Sequence, residues 1–214
     1  MTRNQKPEIR NQKPEIRNQK PEIRIAVFAS GNGSNAENII KYFKPSTHIQ
    51  VSLVLTNNPD AFVLERAQKL SVPSLVFSRE ELINTERILQ ELKNNDIDFI
   101  VLAGFLLMIP ANLITAYPDR IINIHPALLP KYGGKGMYGD IVHKAVRNAD
   151  DIETGITIHF VNKRYDEGTV IFQATCPVTA TDTPEMIAQK VHSLEYKHYP
   201  QVIESVIKKL IKNP

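Results

Sequence analysis

Short apolar runs alternate with amphipathic segments along most of the chain from Ile23 onward. The continuous apolar runs predict strands, and segments with apolar residues at helical spacing predict helices between them. The predicted strands cover 23–30, 49–58, 73–78, 97–105 and 120–126, and the predicted helices cover 34–43, 61–70 and 79–96. Strands that are apolar throughout and alternate with helices are typical of a parallel sheet covered on both faces.

The pattern changes toward the C-terminus. Two alternating segments, 154–162 and 169–178, are joined by "KRYDEG", which predicts an antiparallel element added to the sheet. A long final helix is predicted from Pro184, with Thr183 as its N-cap, to about Lys212. The predicted fold is therefore α/β: an open, mostly parallel twisted sheet with helices on both faces and an antiparallel element toward the C-terminus.

The first 23 residues differ from the rest of the chain. "RNQKPEI" occurs three times in succession, and each copy is polar with one proline and one isoleucine. One isoleucine per copy offers too little apolar surface to offset the entropy lost when the backbone is ordered. We therefore predict a disordered, repetitive tail at residues 1–23 and a single domain at residues 24–214.

Composition narrows the range of partners. The net charge of only +3 does not favour a nucleic-acid groove, and a small molecule carrying a phosphate suits the chain better. No apolar run approaches the roughly 18 residues of a membrane span, and the N-terminus lacks the apolar core of a signal peptide. We expect a cytoplasmic protein that binds neither membrane nor nucleic acid.

A glycine-rich segment, "SGNGSN", follows the first predicted strand and opens the first predicted helix. Gly31 and Gly33 allow a tight turn close to an anion, and Ser34, Asn35 and the amides of the helix N-terminus can donate hydrogen bonds to a phosphate. A dinucleotide site would need an acidic residue at the end of the second strand, where this chain has Asn57. The segment therefore favours a single phosphate, and a tight turn without any ligand is the alternative.

A second chemical signal is "NIHP", at the end of the strand predicted at 120–126. Asn123 and His125 are two residues apart and project to the same face of a strand, where an amide can stabilise an oxyanion and an imidazole can move a proton. Asp166 in the "KRYDEG" turn can accept from His125 and favour its protonated form. The alternatives are a buried structural histidine and a turn-forming aspartate. His143 lies in a polar or helical setting with no convergent partner, and His159 alternates within a strand as a semi-buried residue would, so neither receives a role.

The segments "ASGNGSN", "NIHPALLPKYGG" and "GITIHFVNKRYDEGTVIFQ", in this order, resemble the phosphoribosylglycinamide formyltransferase family. The resemblance covers about residues 24–205. It implies a Rossmann-like formyltransferase fold and transfer of a formyl group from 10-formyltetrahydrofolate to glycinamide ribonucleotide in purine biosynthesis, without a metal. The implied catalytic residues are Asn123, His125 and Asp166. The implied ribonucleotide-binding residues are Gly33, Ser34, Asn35, His192 and Glu195, and the implied folate-binding residues are Arg79, Leu107, Met108, Ile109 and Asn123.

The family mechanism implied here is direct transfer without a covalent enzyme intermediate. The amine attacks the formyl carbon, Asn123 and protonated His125 stabilise the oxyanion, and Asp166 holds His125. Two departures bear on binding. Leu107 stands where relatives have an arginine that approaches the folate tail, and the segment 132–146 is longer than in some relatives.

Three alternative functions stay open at this point. Formyltetrahydrofolate hydrolase shares the Asn-His-Asp group but carries an added N-terminal domain, and methionyl-tRNA formyltransferase carries an added C-terminal domain. A nucleotide-binding module without turnover is the third alternative. The sequence allows either a monomer or a homodimer.

Overall fold

The computed structural model describes residues 23–212. The strands within these residues form one seven-stranded sheet. The predicted tail lies outside these residues except for Ile23, which begins the first strand. The strands are β1 (Ile23–Phe28), β2 (Ile49–Thr56), β3 (Ser74–Val76), β4 (Phe99–Leu102), β5 (Ile121–His125), β6 (Glu153–Phe160) and β7 (Val170–Pro177). Their spatial order is β3-β2-β1-β4-β5-β6-β7.

Pairing within the sheet is parallel from β3 to β5 and antiparallel from β5 to β7. This confirms the predicted fold class, including the antiparallel element toward the C-terminus. Strand order reverses between β1 and β4, and in sheets of this type ligands bind beyond the carboxyl ends of the strands at such a reversal. The glycine segment follows β1 at this end, and "NIHP" ends β5 beside it.

Helices cover both faces of the sheet. They are α1 (Ser34–Phe43), α2 (Val63–Lys69), α3 (Arg79–Asn84), α4 (Arg87–Asn94), α5 (Ala111–Ala116), α6 (Asp140–Asn148) and α7 (Pro184–Lys212). Side chains of β1 alternate between two cores: Ile25 and Val27 pack with α1, α2, α6 and α7, and Ala26 and Phe28 pack with α3, α4 and α5. Apolar side chains are therefore required on both faces of the central strands, which explains their continuous apolar sequence.

The single helix predicted at 79–96 is wrong, because the chain breaks into α3 and α4 at Thr85, whose backbone is extended. The Thr85 hydroxyl donates to the Glu81 carbonyl oxygen at 2.7 Å and accepts from the Arg87 amide at 3.2 Å. One side chain thus replaces backbone hydrogen bonds at the end of α3 and the start of α4. Two short helices, α5 and α6, were not predicted.

Polar contacts hold helix α7 against the sheet and against α1. The buried Tyr199 hydroxyl donates to the carbonyl oxygen of Leu102, the last residue of β4, at 2.8 Å. Pro200 has no amide hydrogen, which leaves the Tyr196 carbonyl without its helical donor, and the Asn38 side chain donates to it instead at 2.9 Å. These contacts hold the middle of α7 beside the carboxyl ends of the strands.

Candidate active site

One cleft of about 670 Å³ lies at the carboxyl ends of the parallel strands. It contains every residue that the sequence assigned to the site: Gly33, Ser34, Asn35, Arg79, Leu107, Met108, Ile109, Asn123, His125, Asp166, His192 and Glu195. Residues that lie far apart in the sequence are therefore brought to one place. Their individual roles remain predictions.

His125 is the last residue of β5, and the residue is only 3% exposed. Its Nε2 lies 2.7 Å from the carbonyl oxygen of Tyr132, so Nε2 carries a proton and donates to that oxygen. Nδ1 faces Asp166 Oδ2 at 3.5 Å. Burial lowers the pKa of His125 and outweighs the opposing effects of Asp166 and the Tyr132 carbonyl. In the free protein this lowered pKa favours the neutral ring at pH 7, with the lone pair on Nδ1; the protonated His125 of the implied mechanism stays a prediction.

Asp166 lies in the loop between β6 and β7, with its backbone in the left-handed region at φ 53°. Its Oδ2 accepts from the Gly134 amide at 2.9 Å, and its Oδ1 lies 3.6 Å from His159 Nε2. Burial raises the pKa of Asp166, but the neighbouring His159 and His125 and the Gly134 amide together lower it below the usual value. The carboxylate is therefore ionised at neutral pH and lies between two imidazoles.

Asn123 is oriented by His159, a residue to which the sequence assigned no role. His159 Nδ1 lies 2.8 Å from the Phe160 carbonyl oxygen and must donate to it, which leaves Nε2 as an acceptor in the neutral ring. While the ring is neutral, Asn123 Nδ2 donates to that Nε2 at 3.2 Å, whereas a protonated ring would donate from Nε2 to Asp166 Oδ1, 3.6 Å away, and so lower the pKa of Asp166. The amide has a second N–H, and this one is available to a ligand. His159 stands directly opposite Asn123 in the antiparallel pairing of β5 with β6, a register that the strand patterns alone did not reveal.

The glycine segment forms the side of the cleft at the N-terminus of α1. Gly33 has φ 72°, and a Cβ built on it would lie 2.4 Å from Val63 Cγ2, so this position requires glycine. The amides of the first helical turn have no acceptor within the helix and can bind an anion. Asn35 Nδ2 donates to Glu195 Oε2 at 2.8 Å, which joins α1 to α7 across the cleft. Burial raises the pKa of Glu195 and outweighs the hydrogen bond from Asn35.

His143 is a second cleft residue that the sequence analysis missed. It lies on α6, is 1% exposed and lines the cleft. Its ring meets the ring of His192 edge to face, with 6.4 Å between centroids. Burial, followed by the neighbouring His192, lowers the pKa of His143 to about 4, so its ring is neutral at pH 7. The predicted helices omitted α6 altogether, so no pattern placed this side chain near the cleft.

Another part of the cleft lining, after β4, is more apolar. Leu107, Met108 and Ile109 follow β4 and form an apolar wall, in which Met108 is exposed and Ile109 is buried. Arg79, at the start of α3, supplies a guanidinium to the same cleft. The segment 134–139 lines the cleft as well, so the longer stretch noted in the sequence lies directly at the site.

Within residues 23–212, no group of three or more histidine, cysteine, aspartate or glutamate side chains is placed to hold a metal ion. None of the helices in this part of the chain is long and apolar enough to cross a membrane.

The sequence of the chain is similar to one protein family and to named members of it. The family model described as formyl transferase matches residues 23–203. The chain is 40% identical over 195 residues to the chloroplastic phosphoribosylglycinamide formyltransferase of Arabidopsis thaliana, covering 88% of this chain and 67% of that protein. It is 36% identical over 189 residues to phosphoribosylglycinamide formyltransferase of Bacillus subtilis, covering 86% and 94%. The chain spans about two thirds of the plant relatives' own length.

A similar fold is found among solved structures. Glycinamide ribonucleotide transformylase 1 from Geobacillus kaustophilus superposes with a TM-score of 0.78 at 36% sequence identity, covering 85% of this chain and 97% of that one.

Proposed function

The chain belongs to the formyl transferase family, and from this premise we propose that it transfers the formyl group of 10-formyltetrahydrofolate to the amine of glycinamide ribonucleotide, a step of purine biosynthesis. The observation that carries the proposal is the meeting of Asn123, His125 and Asp166 in the same cleft as the glycine segment. An amide, an imidazole and a carboxylate suit acyl transfer, and the amides of α1 suit a phosphate.

Asn123 supplies the oxyanion contact. One of its N–H groups is held by His159, which fixes the plane of the amide, and the other donates to the formyl oxygen. The substrate amine attacks the formyl carbon, a bond forms between this nitrogen and that carbon, and negative charge develops on the oxygen. A donor that is already oriented stabilises this charge without reorganisation during the reaction.

His125 moves the proton. Because Nε2 already donates to the Tyr132 carbonyl, Nδ1 is the atom that can accept a proton from the attacking amine. The imidazolium formed in this step lies against the ionised Asp166, and Nδ1 then delivers the proton to the folate nitrogen as its bond to the formyl carbon breaks. The net change is one proton moved from the amine to the leaving nitrogen. Direct transfer needs no nucleophilic side chain.

Different parts of the cleft lining suit the two substrates. Gly33, Ser34 and Asn35 hold the phosphate, and Glu195 and His192 on α7 contact the rest of the ribonucleotide. In the lining after β4, Leu107, Met108 and Ile109 suit an apolar ring system, and Arg79 suits an anionic tail. With a leucine at 107, Arg79 carries more of the tail recognition, so we propose weak discrimination between folates of different glutamate length.

We also propose that the protein works in the cytoplasm, as a monomer or homodimer acting on these two small molecules. The Arabidopsis relative is named chloroplastic, so an organelle is the competing location. Fractionation of the source cells distinguishes the two.

The test of function is release of deformylated folate, followed by absorbance, with and without an acceptor. Release only in the presence of glycinamide ribonucleotide supports the proposal. Release without any acceptor would indicate a formyltetrahydrofolate hydrolase, and release that requires methionyl-tRNA would indicate the tRNA enzyme. Binding of the ribonucleotide by folded protein with no release would indicate a nucleotide-binding module.

A further inference from the structure

His143 is a buried polar residue that the proposed chemistry does not use. Four buried side-chain polar atoms lack a hydrogen-bond partner in the described part of the chain, and two of them belong to cleft residues: His143 Nδ1 and Asn35 Oδ1. A buried polar atom without a partner costs folding free energy, and a ligand that supplies the partner removes this cost. His143 also lines the cleft, so a bound ligand can supply a hydrogen-bond partner that the buried Val142 and Val146 on the same helix cannot.

The neighbours of His143 place it near one end of the cleft. Its ring packs edge-on against that of His192, which in turn stacks on Tyr196 with 6.3 Å between centroids. Glu195 lies on the same stretch of α7 and is tied to Asn35 at the glycine segment. His143 therefore belongs to the side of the cleft where the proposed function places the ribonucleotide, and not to the apolar wall after β4.

We propose that His143 recognises the sugar–phosphate end of the ribonucleotide by donating a hydrogen bond from its ring to an oxygen of that end. This inference rests on the proposed function for the identity of the ligand. The neutral ring has one N–H and one lone pair, so it can donate to a phosphate oxygen or to a sugar hydroxyl without contributing charge. It acts in binding and selection of the acceptor, and it takes no part in the proton transfer at His125.

Two variants and one control test this role. H143F keeps a flat ring of similar size and removes the donor, and H143Q restores an N–H on a flexible side chain. The control is H198F, which replaces a helical histidine that packs on Phe172 outside the cleft. For H143F we expect KM for glycinamide ribonucleotide to rise about tenfold, with KM for 10-formyltetrahydrofolate and kcat within about twofold of wild type. H143Q should recover part of the loss, and H198F should match wild type.

Calorimetric titration with the ribonucleotide gives the same comparison without turnover. If wild type binds the ribonucleotide but does not release folate, the proposed function fails while His143 can still be tested by its Kd. Glycinamide riboside, which lacks the phosphate, serves as the second probe. Equal affinity of wild type and H143F for the riboside places the hydrogen bond on the phosphate, and weaker binding by H143F places it on the sugar.

Two results would overturn the inference. One is an H143F enzyme whose KM and Kd for the ribonucleotide stay within about twofold of wild type. The other is an H143F enzyme in which both KM values rise together and H143Q gives no recovery, since a distorted cleft would produce that pattern and a single lost contact would not.

Discussion

The substitution D166N removes one negative charge from the site and is compatible with the backbone conformation of residue 166. Asp166 has φ 53°, a conformation that asparagine adopts readily and most other residues do not. The asparagine oxygen can still accept from the Gly134 amide. We therefore expect D166N to fold with nearly wild-type stability while His125 loses the anion that faces its Nδ1.

The size of the effect follows from the distance between the two groups. Asp166 Oδ2 and His125 Nδ1 are 3.5 Å apart, and the Asp166 side chain is 11% exposed. A charge pair at this separation is worth about 4 to 5 kcal/mol at an effective dielectric constant of about 20. The pair exists only while His125 carries the proton in transit, so its loss raises the barrier. We expect kcat to fall roughly 10³-fold, inside the range of about 10² to 10⁴ typical of acid–base groups.

The assay is steady-state turnover at saturating substrates, with E167Q as the matched control. Glu167 is the next residue, is exposed and pairs with Arg164, so its exchange should leave kcat unchanged. Because Asp166 raises the pKa of His125, D166N should also shift the acid limb of kcat/KM to lower pH. Turnover by D166N within about fivefold of wild type would refute the role given to this carboxylate.

Three further predictions concern stability. G33A should lower the free energy of unfolding, measured by urea denaturation, by roughly 2 to 4 kcal/mol, because the new Cβ would clash with Val63 and φ is positive. The control is G31A, which has no atom within 4 Å of its new Cβ and should change the free energy of unfolding by less than about 1 kcal/mol. The second prediction concerns pH. Between pH 6.5 and about 4, His143 is protonated in the unfolded chain but not in the folded chain, so the free energy of unfolding should decrease by about 3 kcal/mol as the pH falls through this range. H143F should lack this contribution to the pH dependence. Y199F should cost about 1 kcal/mol of stability through the lost contact between α7 and β4, and an unchanged thermal midpoint would contradict it.

Much of the fold was predictable because the central strands are buried on both faces and their apolar runs are continuous. The break between α3 and α4 at Thr85 was not predictable, because the helical pattern continues on both sides of this residue. The break depends on the hydrogen bonds of the Thr85 hydroxyl, which replace those of a continuous helix. Helix α6 was missed for a different reason: it follows a glycine-rich segment and carries a histidine on its buried face. Val142 and Val146 do have helical spacing, but the helix is only nine residues long.

The candidate site also contains some residues that could be predicted from the sequence and others that could not. Asn123 and His125 could be found because their spacing of two residues is local, and Asp166 because its turn follows a predicted strand. His159 could not, because its position opposite Asn123 depends on the register of β5 with β6. The net effect on the pKa of His125 could not be predicted either, since the sequence shows the partner carboxylate, which favours the protonated ring, but not the burial that outweighs it.

The central claim is that the formyl group passes directly from the folate to the ribonucleotide amine. The most direct measurement is to supply 10-formyltetrahydrofolate with an isotopically labelled formyl carbon, together with glycinamide ribonucleotide, and to locate the label by NMR. The account predicts the label in the formylated ribonucleotide, in step with folate release and without labelled formate. Label appearing as free formate, or remaining on the folate while the protein is folded and binds the ribonucleotide, would contradict it.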